Sequence, residues 1–303
     1  DIRADDERES EIPDNTDAIM CFSGGVDSCF TAFRHAKGIS TSFPQPLRTA
    51  VLVHGFDIPL NEPEYYESVY ENVKYQLDSI GIRLYRVETN FKEISVFWPH
   101  AFGTGVASVL SLFKKKYSKG LVAQGVPFSS YKNLVEGSNP LTDHFLSSEQ
   151  FRIIPDGSGF QRAEKIKVIS KWTEGMKYLR VCWEGEEKEK NCCVCEKCIR
   201  NILTFRSLKI PIPQAFSKDV DDDQVYKLGP LKEITISVGY DVILKFASEN
   251  GMENESWILV LKKAIDRSRK IRKMSLTMWG RIKLWFVRFV NKAWRQPASR
   301  IKF

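Results

Sequence analysis

Apolar residues in this chain gather in short runs, separated by stretches in which they recur at helical spacing. Ala18 to Phe22 is long enough for one buried strand and ends at the adjacent pair Gly24 and Gly25, after which Asp27 to His35 can continue as a helix. Thr49 to Phe56 reads as a second strand of the buried type. Pro63 can open a helix in which Tyr65, Val69, Val73 and Leu77 share one face up to Gly81. Ile82 to Val87 is a third strand, Phe102 to Tyr117 a helix, and Gly120 to Gly125 a short fourth strand. Strands alternating with helices predict right-handed crossovers and a parallel sheet covered on both faces, a doubly wound α/β fold. Ligands of such sheets lie at the carboxyl ends of the strands, so the loops after Phe22, Phe56, Val87 and Gly125 are expected to face one crevice.

Beyond the fourth strand the pattern changes. Glu136 to His144 is polar and turn-forming, with Ser138 and Asp143 as candidates for substrate recognition. Gly103-Thr104-Gly105 reads as a helix opening that could offer N–H groups to a second anion, or as a plain helix start. Arg162 to Ile166 looks helical and sets Arg162 and Lys165 on one face, either as cations for a polyphosphate or as a solvated surface. Pro211 to Pro213 and the acidic run Lys218 to Asp223 separate a helical extension, 211–303, from the body, 17–210. Within it, Pro230 to Phe246 and Glu255 to Arg267 are expected helices.

Composition sharpens this division. A hydrophobic content of 43% with 12% aromatics is that of a globular chain, and the net charge is +7. From Ala264 to Phe303 twelve Lys or Arg stand against one acid, Asp266, so the remainder is mildly acidic. The basicity therefore belongs to the tail, where Ile271, Met274, Met278, Ile282, Trp285, Phe289 and Ala293 recur at helical spacing. A basic amphipathic helix over 271–295 can lie on an anionic membrane surface, dock on an acidic partner, or pack on the body or on a second subunit of a homodimer. Nucleic-acid binding is the least favoured use of that charge. The first residues, 1–16, read as a disordered acidic lead-in. No secretory leader and no uncharged apolar run near the ~20 residues of a membrane span are visible, so the expected location is cytoplasmic, with membrane association only through the tail helix.

Chemistry enters at the first turn. In Ser23-Gly24-Gly25-Val26-Asp27-Ser28 a strand passes into a helix, whose start leaves backbone N–H groups unpaired and a dipole that favours an anion. The glycines allow close approach of a phosphate, Ser23 and Ser28 can donate hydroxyl protons, and Asp27 can help hold a divalent cation. No Gly-x-x-x-x-Gly-Lys-Ser/Thr is present, so this is not the usual nucleoside triphosphate loop. At all six positions the stretch resembles the pyrophosphate loop of the N-type ATP pyrophosphatases, which cleave ATP between the α and β phosphates and adenylate a substrate. That resemblance implies a Rossmann-like, adenine nucleotide alpha hydrolase-like fold, with ATP and Mg2+ as ligands and Asp27 and Ser28 among the catalytic positions. It further implies that His54, Gly55 and Phe56 hold adenine largely through backbone groups, with Gly125 at the comparable strand end on the other side. The His54 side chain, taken alone, is more often a packed histidine than a base.

Five of the seven cysteines, Cys182, Cys192, Cys193, Cys195 and Cys198, lie within seventeen positions. Cys182-x9-Cys192-x2-Cys195-x2-Cys198 can close four thiolates around one tetrahedral zinc, leaving Cys193 over; a disulfide or an iron–sulfur cluster are the alternatives. Lys197 and Arg200 beside the thiolates would offset the charge of such a site. The phosphate loop and this cysteine spacing together resemble the 7-cyano-7-deazaguanine synthases of queuosine biosynthesis over approximately residues 17–206. Those enzymes activate a carboxylate with ATP, use ammonia as the nucleophile and carry structural zinc. Their substrate loop, with its Tyr-Pro-Asp-Cys-Arg run, is not recognisable here, and the chain continues about a hundred residues past the cysteines. The resemblance therefore implies adenylation with Zn2+, leading to a C–N bond on a small-molecule or peptide substrate, and leaves the acceptor open. A sulfur transferase using Cys193, a nucleotide sensor, and a protein-modifying component of a multi-gene system are the rival readings.

Overall fold

A computed structural model of the chain describes residues 16–275, apart from 95–96, 135 and 186–189. Among the described residues, five strands form one all-parallel sheet in the order β3-β2-β1-β4-β5. β1 (Ala18–Cys21), the central strand, is followed by α1 (Val26–Lys37), β2 (Leu47–His54), α2 (Pro63–Asp78) and β3 (Arg83–Glu88). A single turn α3 (Phe91–Ile94) and the helix α4 (Trp98–Ser111) then return the chain to β4 (Lys119–Ala123) on the other side of β1. Strand order therefore reverses at β1, the place where an open α/β sheet forms its crevice.

Alternation along each strand divides the interior in two. Ala18, Met20 and Phe22 of β1 and its extension, with Ala50 and Leu52 of β2, pack against α1, α2 and the helices of the C-terminal half. Ile19, Val51 and Val53 face the opposite way, onto Ala107 and Leu110 of α4 and onto Phe151 and Ile153. Helices thus cover both faces. Phe22 and Phe30 are each at most 2% exposed, burial worth about 1.5–3 kcal/mol per side chain.

Three sequence-based boundaries are corrected. The helix expected over 102–117 spans Trp98–Ser111, because Pro99 fits its first turn and the residues after it close with i→i+3 turns. Gly103, Thr104 and Gly105 consequently lie inside α4 and open nothing: their glycines serve packing, since a Cβ on Gly103 would sit 2.0 Å from the Gly137 carbonyl oxygen. A fifth strand, β5 (Arg152–Asp156), was not expected, as Pro155 interrupts its apolar pattern; it is tolerated because β5 is the sheet edge and pairs only with β4. The helix expected over 230–246 is α9 (Glu233–Thr235), a π-helical turn Ile236–Tyr240, and α10 (Asp241–Glu249).

Between β5 and the extension run α5 (Arg162–Ile169), α6 (Thr173–Lys177) and α7 (Glu196–Ser207). α8 (Asp222–Tyr226) and α11 (Ser256–Ser275) complete the C-terminal part. Tyr240, Ile243, Trp257, Leu261 and Ile265 of that part belong to the same apolar cluster as Met20 and Phe30. No helix among the described residues is long and apolar enough to cross a membrane. Residues 271–275 of the expected tail helix form the end of α11; the remainder lies outside the described residues, as does the lead-in before Thr16.

Candidate functional site

The turn between β1 and α1 is shaped by its own side chains. Gly24 adopts φ +75°, a left-handed conformation that favours glycine, and Gly25 stands at the helix N-cap with no side chain capping it. Ser23 Oγ lies 3.3 Å from Ser28 Oγ and accepts from Gly25 N at 3.4 Å, and Ser28 Oγ donates to Gly25 O at 3.1 Å. Both hydroxyls are therefore held at the mouth of an uncapped helix start, where an anion is favoured.

Asp27 projects from the first turn of α1 and is neutralised from α5. Arg162 Nη2 donates to its Oδ2 and Lys165 Nζ to its Oδ1, each at 2.9 Å. Lys165 is 1% exposed and also donates to the Gln124 carbonyl at the end of β4, so one cation joins α1, α5 and the sheet. The face shared by Arg162 and Lys165 is not solvated. Burial opposes ionisation of Asp27, but the charges of Arg162 and Lys165 and their hydrogen bonds outweigh it and hold the carboxyl below its ordinary range.

Two cavities meet at Ser23, Asp27, Asp57 and Arg180. The larger, about 380 Å³, opens at the carboxyl ends of β1, β2 and β4 and has mainly apolar walls, among them Phe22, Phe56, Trp98, Phe102 and Val122. That volume suits a small organic ligand. Ser28 and Gly125 line it; Glu136 stands at its rim, exposed as a residue but with its carboxyl partly desolvated, which together with the charge of Asp27 raises its pKa. The smaller, about 170 Å³, lies on the other side of the loop, where Arg162, Arg180, Lys197 and Arg200 face Asp27 and Asp57. Burial, and then Arg162, lower the pKa of Arg200, as expected where cations outnumber acids.

Other residues singled out from the sequence fall elsewhere. The His54 ring is 5% exposed, stacked on Tyr66 and hydrogen-bonded to Pro59 O at 2.8 Å, so it is a packed histidine. Gly55 has φ +102°, and a Cβ there would meet Thr89 O at 1.8 Å. Ser138 and Asp143 are 3% and 2% exposed and bind each other and the Gln124 amide, behind the crevice wall. Thr104 is exposed on α4.

The four cysteines converge. Cys182, Cys192, Cys195 and Cys198 hold their sulfurs within 4.8 Å of one another, with Cys182–Cys198 at 3.3 Å and Cys192–Cys198 at 3.9 Å. Thiolates about 2.3 Å from a tetrahedral zinc lie roughly 3.8 Å apart, so the set fits that ion with only small side-chain shifts. Two knuckle amides already point at sulfur: Cys192 N donates to Cys182 Sγ at 3.2 Å and Cys195 N to Cys192 Sγ at 3.3 Å. Cys195 is the N-cap of α7 and Cys198 lies in its first turn, where the dipole favours thiolates. Cys193, at φ +60° and 1% exposed, turns its S–H to Asn191 O instead. Cys21 does line the larger cavity, but burial pushes its thiol up to about 12.

Magnesium fits less directly. Each Asp27 oxygen already accepts from a cation, and among the described residues the cysteine cluster is the only grouping suited to holding an ion on its own.

Sequence reasoning missed Arg180, placed Asp57 only at the end of the second strand, and read Lys197 and Arg200 only as charge balance for the thiolates. Arg180 N donates to Gly24 O at 2.9 Å, and its guanidinium binds the Tyr65 hydroxyl and faces Asp57. Its position two residues before the first cysteine is the sole trace it leaves in the sequence. No family model matches this chain, and no curated protein or solved structure matches it significantly.

Proposed function

We propose that this chain is an ATP-dependent adenylating enzyme that forms a C–N bond. The observation that carries the reading is an uncapped helix start on the central strand, at the point where strand order reverses, with four cations facing the Ser23–Ser28 loop. Polyphosphate on that loop places the adenosine toward the apolar crevice, where Phe56 and Gly125 stand at strand ends. A carboxylate or carbonyl oxygen of the substrate attacks the α phosphorus and the bond to the β phosphate breaks, releasing pyrophosphate. A nitrogen nucleophile then displaces AMP and loses a proton, giving an amide; a nitrile follows only when a second ATP adenylates that amide oxygen and AMP is eliminated with loss of the remaining N–H proton.

The residues contribute position and charge more than covalent chemistry. Ser23, Ser28 and the first amides of α1 bind the phosphates, and Arg162 and Lys165 stabilise the negative charge that grows on the leaving pyrophosphate. Asp27 keeps those two cations in place and is the acceptor for magnesium brought with the nucleotide. A zinc ion on the four cysteines would fix the chain around α7 and take no part in the transfer. Nitrogen is favoured over sulfur as the nucleophile because Cys193, the expected persulfide carrier, is buried and lines neither cavity.

The test is ATP turnover with product identification by mass, screening small carboxylates and deazapurines with ammonia. AMP and pyrophosphate are expected, and Asp27→Ala should abolish them. ADP with phosphate would refute adenylation; tight ATP binding without any pyrophosphate release would point to a sensor.

A further inference from the structure

The smaller cavity has two walls of different origin. One is the phosphate loop with Arg162. The other, apart from Asp57 of the loop after β2, which faces Arg180 at 3.9 Å, comes from the chain around the cysteines: Arg180 two residues before Cys182, Lys197 between Cys195 and Cys198, and Arg200 two residues after Cys198. Three cations on a stretch this short, all facing one space of about 170 Å³, are not a solvated surface. The Arg180 side chain is 8% exposed and that of Arg200 15%.

The two walls are in direct contact. Besides the bond from Arg180 N to Gly24 O, a Cβ on Gly25 would lie 3.5 Å from Arg180 O, so backbone passes over backbone with little clearance. Asn191, the residue before Cys192, clips the outer wall together. Its side chain accepts from Val181 N at 2.8 Å and Cys182 N at 3.3 Å, and donates to Leu179 O at 2.7 Å and Ala215 O at 3.0 Å. Lys197 is held from the side, its Nζ 3.4 Å from the Trp183 ring centroid. Arg200 is anchored to Glu196 at 2.9 Å. Every cation of this wall is thus tied to the cysteine cluster within one helical turn or three residues of chain.

We infer that this wall is a second half of the anion site, a diphosphate subsite made by Arg180, Lys197 and Arg200, and that metal on the four cysteines sets its affinity. The inference rests on the phosphate reading of the loop but assigns three further residues and a dependence that the loop alone does not have. With the cluster closed, the 179–183 segment and the start of α7 are locked against each other, and the three cations converge on Ser23 and Gly25. With it open, the 179–183 segment keeps its bonds to Asn191 and the Trp183–Lys197 contact but loses its tie to the start of α7 through sulfur, and the cations lose their common focus.

Calorimetric titration of the full chain with inorganic pyrophosphate tests this, with zinc content measured in each sample. Lys197→Gln and Arg200→Gln should each weaken pyrophosphate binding about tenfold with one zinc per chain retained, and Lys171→Gln, on the exposed surface, should not. Stripping zinc with a chelator should weaken binding at least tenfold, with far-UV circular dichroism confirming that the sheet persists. Asn191→Ala, which keeps all four thiolates, is the companion test should stripping unfold the chain; it too should weaken binding while holding zinc. Undiminished binding in both glutamine variants, in the folded zinc-free chain, or in Asn191→Ala with zinc bound would overturn the inference and leave the adenylation reading intact. Failure of the zinc-loaded parent chain to bind pyrophosphate would instead remove the phosphate reading, and the inference with it.

Discussion

Lys165→Met is the sharpest test of the ion cluster beneath the Ser23–Ser28 loop. Methionine approximates the volume of the lysine stem, so packing is conserved while the charge is deleted. Removing one member of a buried pair costs about 3–5 kcal/mol when its partner is left alone. Here Asp27 keeps Arg162 at 2.9 Å, and its side chain is 22% exposed, which reduces the expected loss to about 2 kcal/mol. For a chain of 303 residues that is about 3 °C in Tm. The sign with pH follows from the lowered Asp27 carboxyl: its stabilisation is complete above the unfolded value near 4 and is lost as pH falls through the lower folded value. The gap between parent and Lys165→Met, measured by urea denaturation with zinc present, should therefore close below about pH 4. A cycle with Asp27→Asn should give a coupling of about 2 kcal/mol. Coupling under about 0.5 kcal/mol, or a gap that does not change with pH, would mean that Lys165 supports the fold through Gln124 alone.

The remaining expectations concern the cysteines, one glycine and one acid. Cys193→Ser should still bind one zinc per chain and Cys198→Ser should not, as metal analysis after dialysis will show; loss of zinc from Cys193→Ser would reassign the ligand set. Gly55→Ala should lower Tm by at least about 3 °C, from a cost of about 2 kcal/mol, because its Cβ would press on Thr89 O, whereas Gly159→Ala, with open space around it, should not. Burial opposes ionisation of Asp156, but the hydrogen bond and charge of His35, then Arg34 and Thr31, hold its carboxyl below the ordinary range. Its contribution is present above about pH 4 and lost in more acid solution, so Asp156→Asn should flatten the acid limb of the stability profile; an unchanged limb would count against this.

What was legible in the sequence is what depends on local pattern. β1, β2 and β4 are short apolar runs because both sheet faces are covered, and the loop after β1 combines glycines with hydroxyls in a way few other tasks require. Cysteine spacing worked for the same reason: four thiols able to hold one ion lie close in sequence. β5 was hidden because an edge strand can carry Pro155, which in a central strand would have cost a ladder bond. Ser138 and Asp143 were read as substrate contacts because a polar loop behind a strand usually faces solvent; here a buried glutamine, Gln124, takes up both side chains. The convergence of Arg180, Lys197 and Arg200 on a loop more than 150 residues earlier has no local signature at all. It exists only because the metal-type knuckle folds onto the sheet.

The same geometry gives a role to the chain beyond the cysteines, which adds no strand among the described residues. α7 carries Lys197 and Arg200 toward the loop on one side and buries Ile199, Ile202 and Leu203 on the other. The C-terminal helices meet it there. Tyr240 donates to Glu196 Oε1 at 3.1 Å, and Glu196 is the residue that anchors Arg200. One position earlier Gly239 lets the arginine stem pass, since a Cβ there would lie 2.7 Å from Arg200 Cδ. Both residues sit in the π-helical turn Ile236–Tyr240, an irregularity of the kind that re-aims side chains at functional sites. The helix bearing the cations is therefore fixed at its start by the cysteine cluster and along its flank by the extension. Residues 211–275 are thus the outer support of the proposed anion site beside Gly25, whichever acceptor the crevice receives.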